Sequence, residues 1–444
     1  MIENSALRIA AATALRWSIG ARMATLVIGW AATLVVIRLL HPEDYGLMAL
    51  VMVVITFATL FNELGASAVI VRTPNLSDNE IGSIQGLVAA LNLSLAAAVF
   101  FVAPLVSAFY GADITALLRT ASLLFVAYSI GIVQEALLIR AMNFKARALV
   151  ETTAQLAHAA VTLTLALNGF GVWSLVLGLI VARMMKALGF LMLVPQRFPW
   201  RLVPGELRRH LAYCGSLTAQ RLLYWLPDNV TTAAIGILAG PAKLGLFAVG
   251  KDLALLPLGK FGASLNEVGF ATYSRAQAKV NGIKHSLEKS IAFVSFCLVP
   301  YAIVAAAIVP VAVPVVLGKQ WILVIPIIQL ILIAMPFRAL NTQVLSAINA
   351  AGLARVGLQV QLVNSTLLVT FVTGGALWSI ETAAAGWTIA MPAAHLFNLL
   401  QARRAFGMRV SLVCGYYWRS ALIGLAGLAR LIHEGNFASA IGRA

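Results

Sequence analysis

Leu39-Leu40-His41-Pro42-Glu43-Asp44-Tyr45-Gly46-Leu47 is a polar turn between two long apolar runs, and its pattern returns in the second half of the chain. Offset by 199 residues, Leu39, Pro42, Gly46, Leu47 and Ala49 fall on Leu238, Pro241, Gly245, Leu246 and Ala248. The same offset sets Arg22 on Arg221 and Thr33 on Thr232, and an offset of 204 sets Asn62-Glu63-Leu64-Gly65 on Asn266-Glu267-Val268-Gly269. One Pro-x-x-x-Gly turn arises by chance. Its recurrence with a second motif, each closing an apolar run, reads as an internal repeat.

Outward from these turns the apolar runs number twelve: 16–38, 45–65, 83–109, 114–139, 148–167, 170–194, 211–238, 244–270, 290–317, 320–348, 356–374 and 378–402. Each is near or above the ~20 residues a helix needs to cross about 30 Å of hydrocarbon. The chain is 61% hydrophobic and only 11% charged, with a mean hydropathy of +0.91, far from a soluble domain. A transmembrane barrel would show strict alternation in segments of about ten residues, and that pattern is absent. Six spans separate the repeat copies, so the two halves share one orientation in the membrane. Parallel repeats are a transporter architecture with the substrate site near the repeat interface.

Positive charge alternates along the ladder. Eighteen lysines and arginines lie on the side that holds Arg8, Arg140, Arg201 and Arg403, against three (Arg38, Lys243 and Lys319) on the other. The bias places the N-terminus and the end of span twelve in the cytoplasm, for a multi-pass protein of the bacterial inner membrane. The net charge of +16 follows from that topology. The basic residues form no single face and no aromatic stacking motif, so nucleic acid is not an expected partner.

Soluble chemistry has little room. The connections Tyr110–Asp113, Asn168–Gly171 and Gly375–Ala376 are tight turns, and the longest loop, Pro195–His210, carries Pro195, Pro199 and Pro204. There is no phosphate-binding Gly-x-x-x-x-Gly-Lys loop, no metalloprotease motif and no Gly-x-Ser-x-Gly elbow. Cys214, Cys297 and Cys414 are isolated, and the six histidines lack ligand spacing. No enzyme, metal or cofactor is expected. The first span is too long for a cleaved signal segment and is expected to remain as helix one.

The run from Leu39 to Leu47, followed by Glu63-Leu64-Gly65-Ala66-Ser67-Ala68-Val69-Ile70-Val71-Arg72, resembles the first two helices of the polysaccharide transport family. These are Wzx-type flippases of the multidrug, oligosaccharidyl-lipid and polysaccharide exporter superfamily. Gly240-Pro241-Ala242-Lys243-Leu244-Gly245-Leu246-Phe247 is similar to that family's equivalent turn in the second half. Phe270-Ala271-Thr272-Tyr273-Ser274-Arg275 departs from the pattern, where a proline would follow the phenylalanine. The resemblance covers most of 5–410. It implies an all-α polytopic membrane protein of about twelve transmembrane helices in two parallel six-helix, MATE-like lobes around a central cavity. It also implies translocation of an undecaprenyl-diphosphate-linked oligosaccharide by alternating access, for exopolysaccharide, capsule or O-antigen assembly. Its partners would be the lipid-linked oligosaccharide and membrane lipids, with a polymerase and other glycan-assembly proteins as candidates, and the transport unit a monomer.

Charges inside the spans sharpen this expectation. A charged side chain at the bilayer centre costs about 2.5–3.5 kcal/mol on insertion scales and faces the bundle interior or a wet cavity. The embedded set is Arg22, Arg119, Glu135, Arg221, Asp228, Lys251, Asp252, Lys260, Glu267 and Arg338, six cations to four acids. Guanidinium forks match phosphate oxygens, so Arg22, Arg221, Lys260 and Arg338 are candidates to bind the substrate's diphosphate. Snorkelling to an interface is the competing reading, strongest for Arg22. Asp228, between Pro227 and Asn229, is the candidate for ion coupling, because the proline frees a carbonyl beside it. An ion pair of Asp228 with Arg221 or Lys251 is the alternative. Glu63 and Glu267 are read as gating or capping groups, and Tyr224-Trp225 and Trp378 as sugar-stacking or interfacial aromatics.

The expected domains are an N-terminal six-helix lobe (1–195), a cytoplasmic linker (196–210), a C-terminal six-helix lobe (211–402) and a basic tail (403–444) with an interfacial or partial thirteenth helix. Two other function classes compete. A multidrug or cation antiporter of the same superfamily would favour an anionic cavity. A membrane glycosyltransferase or polymerase would need a large catalytic loop.

Overall fold

The computed structural model describes residues 29–63, 65–73, 76–194, 204–276, 282–408 and 410–433, with side chains excepted at 204–221, 257, 259–268, 270–271, 410–412, 414, 427–428 and 430–433. The described residues form helices and no strand. They are α1 (Gly29–Leu39), α2 (Pro42–Thr59), α3 (Ala66–Arg72), α4 (Asp78–Tyr110), α5 (Thr115–Ala121), α6 (Leu123–Arg140), α7 (Phe144–Leu167) and α8 (Val172–Leu193). They continue with α9 (Pro204–Ala276), α10 (Gly282–Val316), a 3-10 turn (Lys319–Val324), α11 (Ile325–Ala350), α12 (Ala354–Ala376), α13 (Ile380–Phe406) and α14 (Val410–His433). Eight of the described helices are long and apolar enough to cross a membrane. α7 and α13 are as long but carry more polar residues, among them Glu151, His158, His395 and Asn398.

Two refinements to the span map follow from backbone chemistry. Spans seven and eight run on as α9, broken where Gly240 takes φ 80° and ψ 172° ahead of Pro241. A positive φ suits glycine because it lacks a Cβ. α9 begins at Pro204, so part of the expected linker is helical. The Asn-Glu-x-Gly copies also differ. Asn62, Glu63 and Gly65 stand outside the helices between α2 and α3, with Gly65 at φ 78°, whereas Asn266–Gly269 lies within α9.

The chain divides into two compact units, one of Met1–His41 with Val51–Leu222 and one of Pro42–Leu50 with Leu223–Ala444. In the first, small residues let helices approach closely. A Cβ on Gly131 would lie 3.0 Å from the Ala187 Cα, and one on Gly189 would lie 2.8 Å from Val150. Ala66, Val69, Ile70, Ile84, Val88 and Val133 close a core between α3, α4 and α6. Polar groups point inward: Gln85 donates to the Ser129 carbonyl at 2.8 Å, and Asn92 holds the Asn62 carbonyl at 2.6 Å. Phe101, Leu105, Phe109 and Met192 face outward, as lipid contact requires.

In the second unit the turns that open the repeat pack on one another. A Cβ on Gly46 would strike the Pro241 carbonyl, and one on Gly245 would strike the Pro42 carbonyl. The glycines are therefore spaced for mutual backbone contact. Tyr45 meets the buried Trp321 edge-on, with ring centroids 5.7 Å apart. α10, α11, α13 and the start of α14 share a core around Leu340, Val344, Ile348, Leu399 and Val413. Pro310 removes the N–H that would bind the Ala306 carbonyl, and Gln329 of α11 donates to that carbonyl instead at 2.9 Å. Within the tail, α14 packs along α10, with Trp418, Leu422, Ile423 and Leu425 turned outward.

Candidate functional site

Three helix faces in the second unit, with Met391 of α13, converge on a polar cavity of about 120 Å³. α9 contributes Tyr224, Pro227 and Asp228; α11 contributes Arg338, Asn341, Thr342 and Leu345; α12 contributes Gln361, Asn364, Ser365 and Leu368. The spacing on each is i, i+3, i+4, extended to i+7 on α11 and α12, one stripe of a helix.

The charged pair is the centre of the site. Arg338 Nη1 and Nη2 donate to Asp228 Oδ1 and Oδ2 at 3.1 and 2.8 Å, a bidentate fork. The guanidinium lies over the buried Trp387 ring, 5.0 Å from its centroid. The fork joins two residues expected to play separate roles, and it gives Asp228 a cation that neither expected pairing named, Arg338. Lys251 instead reaches Thr232 Oγ1 at 3.5 Å. The mutual neutralisation leaves the cavity wall without net charge from this pair.

Local sequence explains the opening. Pro227 cannot donate to the Leu223 carbonyl one turn earlier, and Gln361 of α12 approaches that carbonyl at 3.5 Å. Gln361 also lies 3.5 Å from the Ser365 hydroxyl, so both contacts are long. Thr231 and Thr232 close on the carbonyls of Pro227 and Asp228 at 2.9 and 2.7 Å. Among the described residues, Asn364 Oδ1 is buried with no hydrogen-bond partner. Behind the cavity, Asn341 Oδ1 meets His395 Nδ1 at 2.8 Å, and His395 Nε2 is hydrogen-bonded to the Tyr417 hydroxyl of α14.

The other expected site residues are placed as follows. Arg22 lies outside the described residues. Arg221, Lys260 and Glu267 lie on α9 with side chains outside them. Glu63 sits at the break between α2 and α3, where its carboxylate accepts from the Ser67 hydroxyl and its carbonyl accepts from Ala66 N–H.

A second charged group lies in the first unit, and of its members the embedded set held only Glu135. Arg147 and Lys186 both pair with Glu135, at 3.0 and 3.3 Å, and with Glu151, at 3.0 and 3.7 Å. Arg183 lies over the Tyr128 ring at 5.1 Å, and with Lys186 it lines a cavity of about 50 Å³. The signal was in span six, where Arg183 and Lys186 stand three apart on one face of an apolar helix. The amides of α12 were missed for another reason: neutral polar residues carry no charge to flag them.

A family model described as polysaccharide biosynthesis protein matches residues 35–326, well over half of the chain. The chain belongs to that family. Among its relatives is the lipopolysaccharide biosynthesis protein WzxC of Escherichia coli (strain K12), 21% identical over 414 residues that cover 92% of this chain and 83% of WzxC. The succinoglycan biosynthesis transport protein ExoT of Rhizobium meliloti (strain 1021) is 25% identical over 323 residues, 71% of this chain and 64% of ExoT. Among solved structures, lipid II flippase MurJ in an inward closed conformation superposes with a TM-score of 0.76 at 14% identity, over 95% of both chains. An inward-facing multidrug resistance MATE family transporter gives 0.66 at 14% identity, over 86% of this chain and 94% of that one. The fold is therefore MATE-like and the family member a multi-pass membrane protein of polysaccharide biosynthesis.

Proposed function

We propose that this protein translocates undecaprenyl-diphosphate-linked oligosaccharide across the inner membrane by alternating access of its two repeat halves, with the N-terminus cytoplasmic. Relatives named for lipopolysaccharide and succinoglycan biosynthesis support the glycan, and a neighbour named as a lipid II flippase supports the lipid carrier. The observation that carries the reading is the Asp228–Arg338 fork on the wall of a polar cavity. A guanidinium held by a carboxylate is a binding group whose occupant can be exchanged. A phosphate competes for the same fork, and the released Asp228 then takes up a proton or cation, which links substrate to an ion gradient. Arg22 and Arg221, equivalent in the repeat, suit a ligand with two phosphates, and Lys260 adds a further cation. Glu63 and Glu267 gate or cap the helices near them.

The test is polymer export in cells carrying Arg338→Ala, Arg221→Ala or Arg22→Ala, with lipid-linked repeat units traced by leaflet. Loss of export with normal protein abundance and lipid-linked units held in the inner leaflet is expected. Lysine at Arg338 rescues poorly, because it keeps charge and loses the fork. Normal export by Arg338→Ala and by the Arg22→Ala, Arg221→Ala double variant overturns the diphosphate assignment. Export of drug cations that responds to these variants would favour the antiporter reading.

A further inference from the structure

We infer that the cavity of the second unit is a subsite for the first sugar of the lipid-linked glycan, read by uncharged hydrogen-bonding groups on α11 and α12. This rests on the reading of the chain as a translocator of lipid-linked oligosaccharide. The lining is unusual for a membrane helix bundle. Gln361, Asn364 and Ser365 on α12 and Asn341 and Thr342 on α11 bring three carboxamides and two hydroxyls to one space. Polar side chains inside a membrane protein are expensive unless they find partners. Asn341 and Thr342 find theirs in His395 and in the carbonyls of Met391 and Arg338, whereas the two amides of α12 are incompletely partnered. Among the described residues, Asn364 Oδ1 is buried without a partner and the amide of Gln361 has two long contacts, both at 3.5 Å.

The chemistry of the missing partner follows from charge. Asp228 and Arg338 neutralise each other, so the cavity does not select a second cation, which would set two positive charges against one carboxylate. A phosphate has its own competitor-held fork in Arg338. What the amides and hydroxyls add is a set of neutral donors and acceptors, and that matches the hydroxyl or acetamido edge of a pyranose. Tyr224, 60% exposed on the wall, offers a ring face for the sugar's apolar side. The volume, equal to about four waters at ~30 Å³ each, admits the edge of one sugar rather than an oligosaccharide. Arg338 and the α12 amides line the same cavity, so a sugar 1-diphosphate would meet both.

The test compares farnesyl diphosphate with its glucosylated form, P1-glucosyl P2-farnesyl diphosphate, on the full chain in phosphatidylcholine nanodiscs. The wild type should bind the glucosylated lipid about tenfold tighter, the worth of one or two retained hydrogen bonds. Asn364→Leu and Gln361→Leu should bring the two affinities within about twofold of each other while leaving that for farnesyl diphosphate unchanged. Asn364→Leu should keep or raise the melting temperature, since it removes a buried amide with an orphan oxygen. Equal binding of the two lipids by the wild type, or a preference that survives both variants, overturns the subsite. A fall of melting temperature and both affinities together assigns Asn364 a structural role, and sodium binding lost in Asn364→Leu assigns the cavity to a cation. Either result also overturns the subsite. Failure of the wild type to bind either lipid sinks the translocation reading itself.

Discussion

Asp228 and Arg338 show what one charge pair asks of its surroundings. Each side chain keeps about a third of its surface exposed, at 31% and 33%. Removing one partner therefore costs less than the ~3–5 kcal/mol of a fully buried pair, and about 1–3 kcal/mol is expected. Asp228→Asn and Arg338→Met should each lower the thermal stability of the detergent-solubilised protein by that much. The Asp228→Asn, Arg338→Met double variant should lose less than the sum, because no stranded charge remains. The network in the first unit behaves differently. Glu135 contacts both Arg147 and Lys186 closely, whereas Glu151 is more exposed and reaches Lys186 only at 3.7 Å. Glu135→Gln should cost about 1–2 kcal/mol and Glu151→Gln under about 0.5 kcal/mol, measured by the same melts. Asp228 and Arg338 could both be picked out as charges in apolar spans. Their pairing could not, since 110 residues separate Asp228 from Arg338.

At the scale of elements, the repeat motif has a mechanical meaning that spacing alone did not carry. Gly46 and Gly245 are the points where two Pro-x-x-x-Gly turns touch backbone to backbone. Gly46→Ala or Gly245→Ala must push the opposing proline carbonyl away, at about 1–3 kcal/mol or more. Gly111, at φ 61° with open space around it, is the control. Its alanine variant meets only the left-handed backbone cost of about 1 kcal/mol. Melting temperatures of the three variants should rank Gly111→Ala above the other two. The prolines follow a second rule. Each opens a helix, and where a neighbour fills the gap the helix survives, as Gln329 does for Ala306. Gln329→Leu should cost about 0.6–1.7 kcal/mol, the range for interhelical hydrogen bonds in membranes.

For the whole molecule, the twelve-span ladder and its charge bias make one further prediction. Cysteine labelling in intact cells should find 41–44, 168–171 and 240–243 accessible from outside, and 141–147 and 276–289 protected. External labelling of 141–147 would invert the topology. The tail helix belongs to this scale too. α14 presents Trp418, Leu422 and Ile423 outward while Tyr417 reaches inward to His395 and, through it, to Asn341 on the cavity wall. That arrangement is a helix packed in the bundle rather than a detached surface segment.

All-α class, multi-pass character and family resemblance were legible in the chain itself, because bilayer thickness sets span length and each span must satisfy its own backbone. Candidate charges were legible for the same reason, since a charge in an apolar run stands out by its cost. Tertiary structure decided everything that depends on which faces meet. It joined Asp228 to Arg338, gathered polar stripes from α9, α11 and α12 into one cavity, and set Gly46 on Pro241 and Gly245 on Pro42. Packing between helices is driven by close shape and by polar partners rather than by a hydrophobic difference from lipid. Periodicity marks the stripe on each helix, and only the packed bundle says which stripe it meets.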